Sequence, residues 1–237
     1  MALAPLTAGA EPIVAANGPN SLIWWHWVGM HGGAIVSDLG QHVTLSAEAV
    51  LIGLVLSAPA AIAVRSRPRL AAALLGFTGL LYTIPSLALF SLLGPLTGYT
   101  TRTTTEVALV SYTLLILIRN FLVGLDGLSP DVIDAANGMG FSSIRRLLQV
   151  EMPLALPAIV AGVRIATVTT IGLVTIAALF GQGGLGILIL TGLQQNFHTP
   201  VLVGAILSVA LAVVADAALL LAGRLLTPWS RTRVVAR

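Results

Sequence analysis

Side chains able to do chemistry are scarce among the 237 residues, and their types narrow the field before any fold is considered. There is no cysteine and no lysine, and all twelve basic residues are arginine. Without cysteine the chain has no disulfide, thiolate nucleophile or thiolate metal site. Without lysine it has no Schiff base, no pyridoxal-phosphate anchor and no GxxxxGK[ST] phosphate loop. The four histidines, His26, His31, His42 and His198, fall at no ligand spacing and make no HExxH pair. A membrane-embedded enzyme would need a nucleophile or a metal constellation, and the sequence offers neither, so no metal site is expected.

Three charges, Arg119, Arg164 and Asp216, stand inside long apolar runs and are expected to be buried. A lone carboxylate at such depth in a bilayer is costly. Asp216 is read as pairing with Arg119 or Arg164 or bonding to a helix end, with a proton relay as the alternative. Hydroxyls form the next group: Tyr82, Thr83 and Ser86 surround Pro85, and Thr167, Thr169, Thr170 and Thr175 stud a later run. Such hydroxyls usually bond their own or a neighbouring helix; the other reading is a polar translocation path through Tyr82, Thr83, Pro85, Ser86, Thr169 and Thr170. The last cluster is Gly181-Gln182-Gly183-Gly184-Leu185-Gly186, with four glycines in six positions. A plain turn explains one or two glycines; four suggest close backbone approach to a partner and a gate on the outer side.

The elements that position these groups are set by composition. Only 9% of residues are charged and 57% are apolar, with a mean hydropathy of +0.97. Soluble domains carry roughly 25% charged residues, so a water-soluble enzyme, a disordered chain and a nucleic-acid binder are excluded, and the lipid bilayer is the expected surrounding. A helix needs roughly 20 apolar residues to cross the hydrocarbon. Five stretches qualify: about Val43 to Val64, Leu70 to Pro95 with a kink at Pro85, Glu106 to Leu125, Leu156 to Phe180, and Val201 to Gly223. The fold class is therefore all-α and integral to the membrane.

Five spans place the termini on opposite sides. Arg65, Arg67, Arg69, Arg145, Arg146, Arg224, Arg231, Arg233 and Arg237 then share one side, against Arg102 alone on the other. Basic residues are retained in the cytoplasm, so the C-terminus with its basic tail, residues 225–237, is cytoplasmic. Residues 1–40, without Lys or Arg, face outward, and the absence of a basic start argues against an ordinary cleaved signal peptide. Trp24, Trp25 and Trp27 suit a short interfacial helix; packing against another subunit is the competing reading.

One long polar segment lies between the third and fourth spans, from Gly127 to Glu151. Ser129 as N-cap, Pro130 at the first helical position and Asp131 in the first turn predict one short helix. Gly138 and Gly140 turn the chain, and Ser142 or Ser143 caps a second helix with Ile144, Leu147 and Leu148 on one side and Arg145 and Arg146 on the other, ended by Pro153. Such a pair of helices either lies on the inner leaflet or docks another protein, the small Ala135, Ala136, Gly138 and Gly140 permitting close approach.

Asp134-Ala135-Ala136, then Gly140, then Val150-x-Met152-Pro153 resembles the EAA loop, E-A-A-x3-G-x9-I-x-L-P, of permease subunits of bacterial ABC importers. All intervals match; Asp stands for Glu, Val for Ile and Met for Leu. The likeness is closest to the osmoprotectant branch, which carries glycine betaine, choline and carnitine. Thr83-Ile84-Pro85-Ser86-Leu87-Ala88-Leu89 is similar to its T-I-P-S-L-A-L, Ile118-Arg119-Asn120 to its I-L-R-N, Glu151-Met152-Pro153-Leu154-Ala155-Leu156-Pro157 to its E-I-P-L-A-L-P, and the Gly181 loop to its G-A-G-G-L-G. The likeness runs from about His42 to Pro228, covering a permease domain at 41–224.

The resemblance implies a type I importer permease, itself no enzyme, whose loop 130–153 forms coupling helices on an ATPase subunit. Asp134, Ala135, Ala136, Gly138, Gly140, Arg145, Arg146, Glu151 and Pro153 are the expected coupling residues. It further implies a second permease subunit, identical or sister, an extracytoplasmic solute-binding protein, a place in the bacterial inner membrane, and no cofactor of its own, ATP and Mg being held by the ATPase. A permease for methionine or another small solute and a channel without ATPase are the rivals.

Overall fold

The computed structural model describes residues 23–230, and these form helices with no strand. The order is α1 (Trp25–Met30), α2 (Gly32–Val64), α3 (Pro68–Thr83), α4 (Ser86–Thr97), α5 (Arg102–Asp126), α6 (Pro130–Gly138), α7 (Ser143–Arg146), α8 (Met152–Ala177), α9 (Gly186–Gln194) and α10 (His198–Leu226), with a π-helical turn, Leu147–Glu151, joining α7 to α8. The first part of the expected outer segment, and Arg231, Arg233 and Arg237 of the basic tail, lie outside the described residues.

Helix α5 is the axis of the bundle because buried side chains recur along it from Thr104 to Leu125. Ala108, Leu109 and Tyr112 join Leu45 and Ala49 of α2, Leu89 and Phe90 of α4 and Val174 and Ala177 of α8 in one core. Ile118, Phe121, Leu122 and Leu125 join Ala61 of α2 and Ala155 and Ile159 of α8 in a second core, nearer the polar loop. Close crossing of α5 and α8 depends on small residues: a Cβ on Gly124 would lie 2.9 Å from the Ala155 carbonyl, and one on Gly162 would lie 2.5 Å from the Asn120 Cβ. Without a hydrophobic drive between helices in lipid, backbone proximity of this kind supplies the packing.

Among the described residues four helices are long and apolar enough to cross a membrane, and α3 with α4 makes a fifth span when the bent pair counts as one. The expected kink is a turn of 99°. Ile84 and Pro85 are extended, and Pro85 has no N–H with which to continue the helical ladder. The freed Ile84 carbonyl accepts a hydrogen bond from the Tyr112 hydroxyl, so the break is satisfied inside the protein, as a bilayer requires.

The first span begins earlier than hydropathy indicates. Helix α2 starts at Gly32 and has 33 residues, about 50 Å at 1.5 Å each, so it continues well beyond the hydrocarbon and runs unbroken across residues 40 and 41. Two of the three tryptophans in question are engaged by their own chain: Trp24 and Trp27 meet Phe197 edge to face, and the Trp24 N–H donates to Thr199 Oγ1 at 2.9 Å. Only Trp25, 73% exposed, is free for a lipid interface.

Candidate functional site

The polar loop folds as the caps predict. Ser129 Oγ accepts the Asp131 N–H at 3.3 Å and Ser142 Oγ accepts the Arg145 N–H at 3.4 Å. Between the two helices Gly140 adopts φ +78°, a left-handed conformation that costs other residues steric strain. The outward face carries Asp134, Ala135, Gly138 and Gly140 together with Met139, Ile144 and Leu148, which are 69%, 72% and 63% exposed. Apolar side chains this exposed at the polar end of a bundle mark a contact surface. Arg145 is exposed beside them, its guanidinium 4.7 Å from the Phe141 ring centre and its Nε donating to Gln149.

Three of the expected coupling residues have different places. Ala136 is buried against the bundle. Glu151 is only 2% exposed and accepts hydrogen bonds from Arg146, at 2.7 Å, and from Arg65 in the turn between α2 and α3. Arg146 also reaches Asn137 of α6. A carboxylate enclosed this far cannot touch a docked protein; it clasps both short helices to the membrane bundle. Pro153 does not end the helix, and the chain continues into α8 through the π turn. In a regular α-helix the proline ring would press on the Gln149 carbonyl; the wider turn relieves that clash.

On the opposite side the glycine loop is held by its own chain. The buried His42 of α2 accepts the Leu185 N–H on Nδ1 at 3.2 Å and donates from Nε2 to the Ile171 carbonyl at 2.9 Å. Gln41 accepts the Gly184 N–H, and Gln182 donates to the Thr100 carbonyl at 2.6 Å. The close approaches expected toward a partner are internal: a Cβ on Gly186 would lie 2.3 Å from the Thr175 carbonyl, and one on Gly183 would lie 1.8 Å from Gln41 Oε1. Gly181, 72° in φ, remains exposed at the surface. The sequence reading missed His42, and its polar neighbour Gln41 just before an apolar run was the available signal.

Arg164 and Asp216 form the expected pair, bidentate at 2.8 and 2.7 Å between α8 and α10. The pair is not buried in the single chain: its side chains are 29% and 36% exposed and line a cavity of about 670 Å³ with Thr169. Arg119 is exposed and makes no hydrogen bond or ion pair among the described residues. The hydroxyl group divides. Tyr82 packs on Tyr112, Thr83 donates to the Leu80 carbonyl, and Pro85 and Ser86 form the bend. Thr170 is wholly buried, and the cavity that Thr169 lines includes none of Tyr82, Thr83, Pro85 or Ser86.

Residues 49–227 match the family described as binding-protein-dependent transport system inner membrane component. The chain belongs to this family. It is 34% identical over 198 residues to the glycine betaine/carnitine/choline transport system permease protein OpuCB of Bacillus subtilis, covering 84% of this chain and 91% of that one. It is 37% identical over 195 residues to the osmoprotectant import permease protein OsmW of Salmonella typhimurium, covering 81% and 91%. Inward-facing structures of the MetNI methionine ABC transporter share the fold, with a TM-score of 0.74 over 86% of this chain and 98% of that chain, at 20% identity. The chain is thus a multi-pass permease subunit of an ATP-driven importer and not an enzyme; ATP hydrolysis belongs to a separate subunit. Kinship above 30% lies with osmoprotectant permeases, and the methionine system shares only the fold.

Proposed function

We propose that this chain forms half of a pathway for a quaternary-amine osmoprotectant, glycine betaine, choline or carnitine, paired with a second copy or a sister permease. The solutes for which its relatives are named support that class. Solute arrives from an extracytoplasmic binding protein, and the loop at 130–153 rests on an ATPase subunit that binds ATP and Mg. The observation that carries the reading is the exposed face of Met139, Ile144 and Leu148 on two helices clasped to the bundle through Glu151. A soluble partner that closes against this face moves the bundle rather than the loop alone. The arginine distribution supports a cytoplasmic position for the loop and C-terminus, with the N-terminus outside, in the bacterial inner membrane.

The experiment is uptake into proteoliposomes holding the permease and ATPase subunits, with binding protein supplied outside and ATP inside. ATP-dependent accumulation of at least one of the three amines is expected. Accumulation of none, with ATPase activity intact, rejects the substrate class.

A further inference from the structure

The bidentate ion pair between α8 and α10 is partly exposed and lines a groove rather than being closed inside the bundle. Arg164 lies twelve residues from Met152 and thirteen from Ala177, the ends of α8, so it sits about 18 Å from the cytoplasmic end of its helix. Asp216 precedes the end of α10, Leu226, by ten residues, about 15 Å. Arg164 is central in α8, Asp216 lies ten residues from one end of α10 and eighteen from the other, and both side chains line one groove between the two helices. Charges in that position cannot face acyl chains cheaply, and intramembrane ionisable groups face protein or a water-filled path. The cavity volume, about 670 Å³, suits a small solute.

We propose that this pair is a transit site for a zwitterionic solute, with the solute carboxylate on Arg164 and its quaternary ammonium against Asp216. The inference rests on the osmoprotectant reading above and specifies its charge type. Asp216 takes the Nε and Nη2 protons of Arg164, which leaves Nη1 available for a second carboxylate. A trimethylammonium group donates no hydrogen bond and needs only a nearby negative charge and room for methyl groups, which Ala161, Ala212 and Ala217 provide beside Thr169. A zwitterion entering an ion pair leaves the cavity neutral. A simple cation leaves it with an excess positive charge between the two helices, which is costly.

The test is ligand-observed saturation-transfer NMR on the permease and ATPase complex in nanodiscs, without binding protein, using glycine betaine and choline as probes. Wild type is expected to bind glycine betaine more tightly than choline. Arg164→Gln should weaken glycine betaine at least about tenfold and tighten choline, whose charge then balances the unpaired Asp216. Asp216→Asn should weaken both, and the neutral double variant Arg164→Gln/Asp216→Asn, which leaves no unpaired charge to disturb folding, should bind neither. No transfer from wild type, equal loss of both probes in Arg164→Gln, or binding retained in the double variant overturns the site. A wild type that imports glycine betaine and shows no binding here rejects this site alone; one that imports no amine rejects the substrate reading and the site with it.

Discussion

Replacing Glu151 with Gln should loosen the two short helices α6 and α7 while leaving the membrane bundle folded. The substitution keeps the shape of the side chain and removes its charge. Glu151 accepts from Arg65 and Arg146, whose side chains are 22% and 20% exposed. Charge-assisted hydrogen bonds contribute about 1.5–3 kcal/mol each and neutral ones about 0.5–1.5. Gln offers one carbonyl oxygen, so one of the two bonds becomes neutral and the other, facing the amide NH2, is lost; discounted because both arginines keep some water, the combined loss is roughly 2–3 kcal/mol, below the ~3–5 found when one partner of a fully buried pair is removed. That loss falls on local opening, so amide exchange across residues 130–150 should quicken roughly 30- to 150-fold, with exchange in α5 unchanged. The assay is hydrogen exchange by mass spectrometry on the permease and ATPase complex, alongside solute moved per ATP hydrolysed. Slack in the clasp predicts ATP hydrolysis that continues while transport per ATP falls. Unchanged exchange at 130–150 together with unchanged transport per ATP would refute the clasp.

Other outcomes follow from the same geometry. His42→Ala removes both partners of the Leu185 N–H and Ile171 carbonyl bonds, a loss of about 2–4 kcal/mol, and should make the loop at 181–186 sensitive to added protease before the complex melts. Gly186→Ala drives a methyl against the Thr175 backbone and should destabilise by about 1–3 kcal/mol, read as a lower melting temperature in detergent. Tyr112→Phe frees the Ile84 carbonyl at the bend, and a loss of about 1–3 kcal/mol should appear as faster exchange at residues 82–86.

The spans, the caps at Ser129 and Ser142 and the break at Pro85 were legible because each depends on local rules: hydropathy over a helix length, orphan amides at a helix start, and a missing N–H. Depth alone suggested that Asp216 pairs with an arginine, but left Arg119 and Arg164 as equal candidates; only the packing of α8 on α10 selects Arg164. What was not legible depends on distance in sequence. Glu151 looks like a surface residue of a polar loop until Arg65, 86 positions away, closes over it. Pro153 reads as a helix end because no sequence rule announces a π turn. The start of helix α2 was hidden because Asp38, Gln41, His42 and Glu48 dilute the hydropathy of its first turns, and His42 is drawn inside by backbone partners 129 and 143 positions away. The same blindness made the glycine loop look like a surface for another subunit, when α2 and α8 of its own chain fill the space.

An ATPase subunit that drives this permease through the face of the loop at 130–153, as proposed, must bind there. The most direct measurement is the affinity of the purified permease for its ATPase subunit, comparing wild type with Ile144→Arg. Ile144 is 72% exposed, so the substitution leaves the permease fold untouched, and thermal melting of the permease alone should match wild type. Loss of ATPase binding by at least about tenfold, the effect of placing a charge in an apolar contact, is the predicted result. A variant that binds the ATPase as wild type does, and still imports solute, would contradict the account.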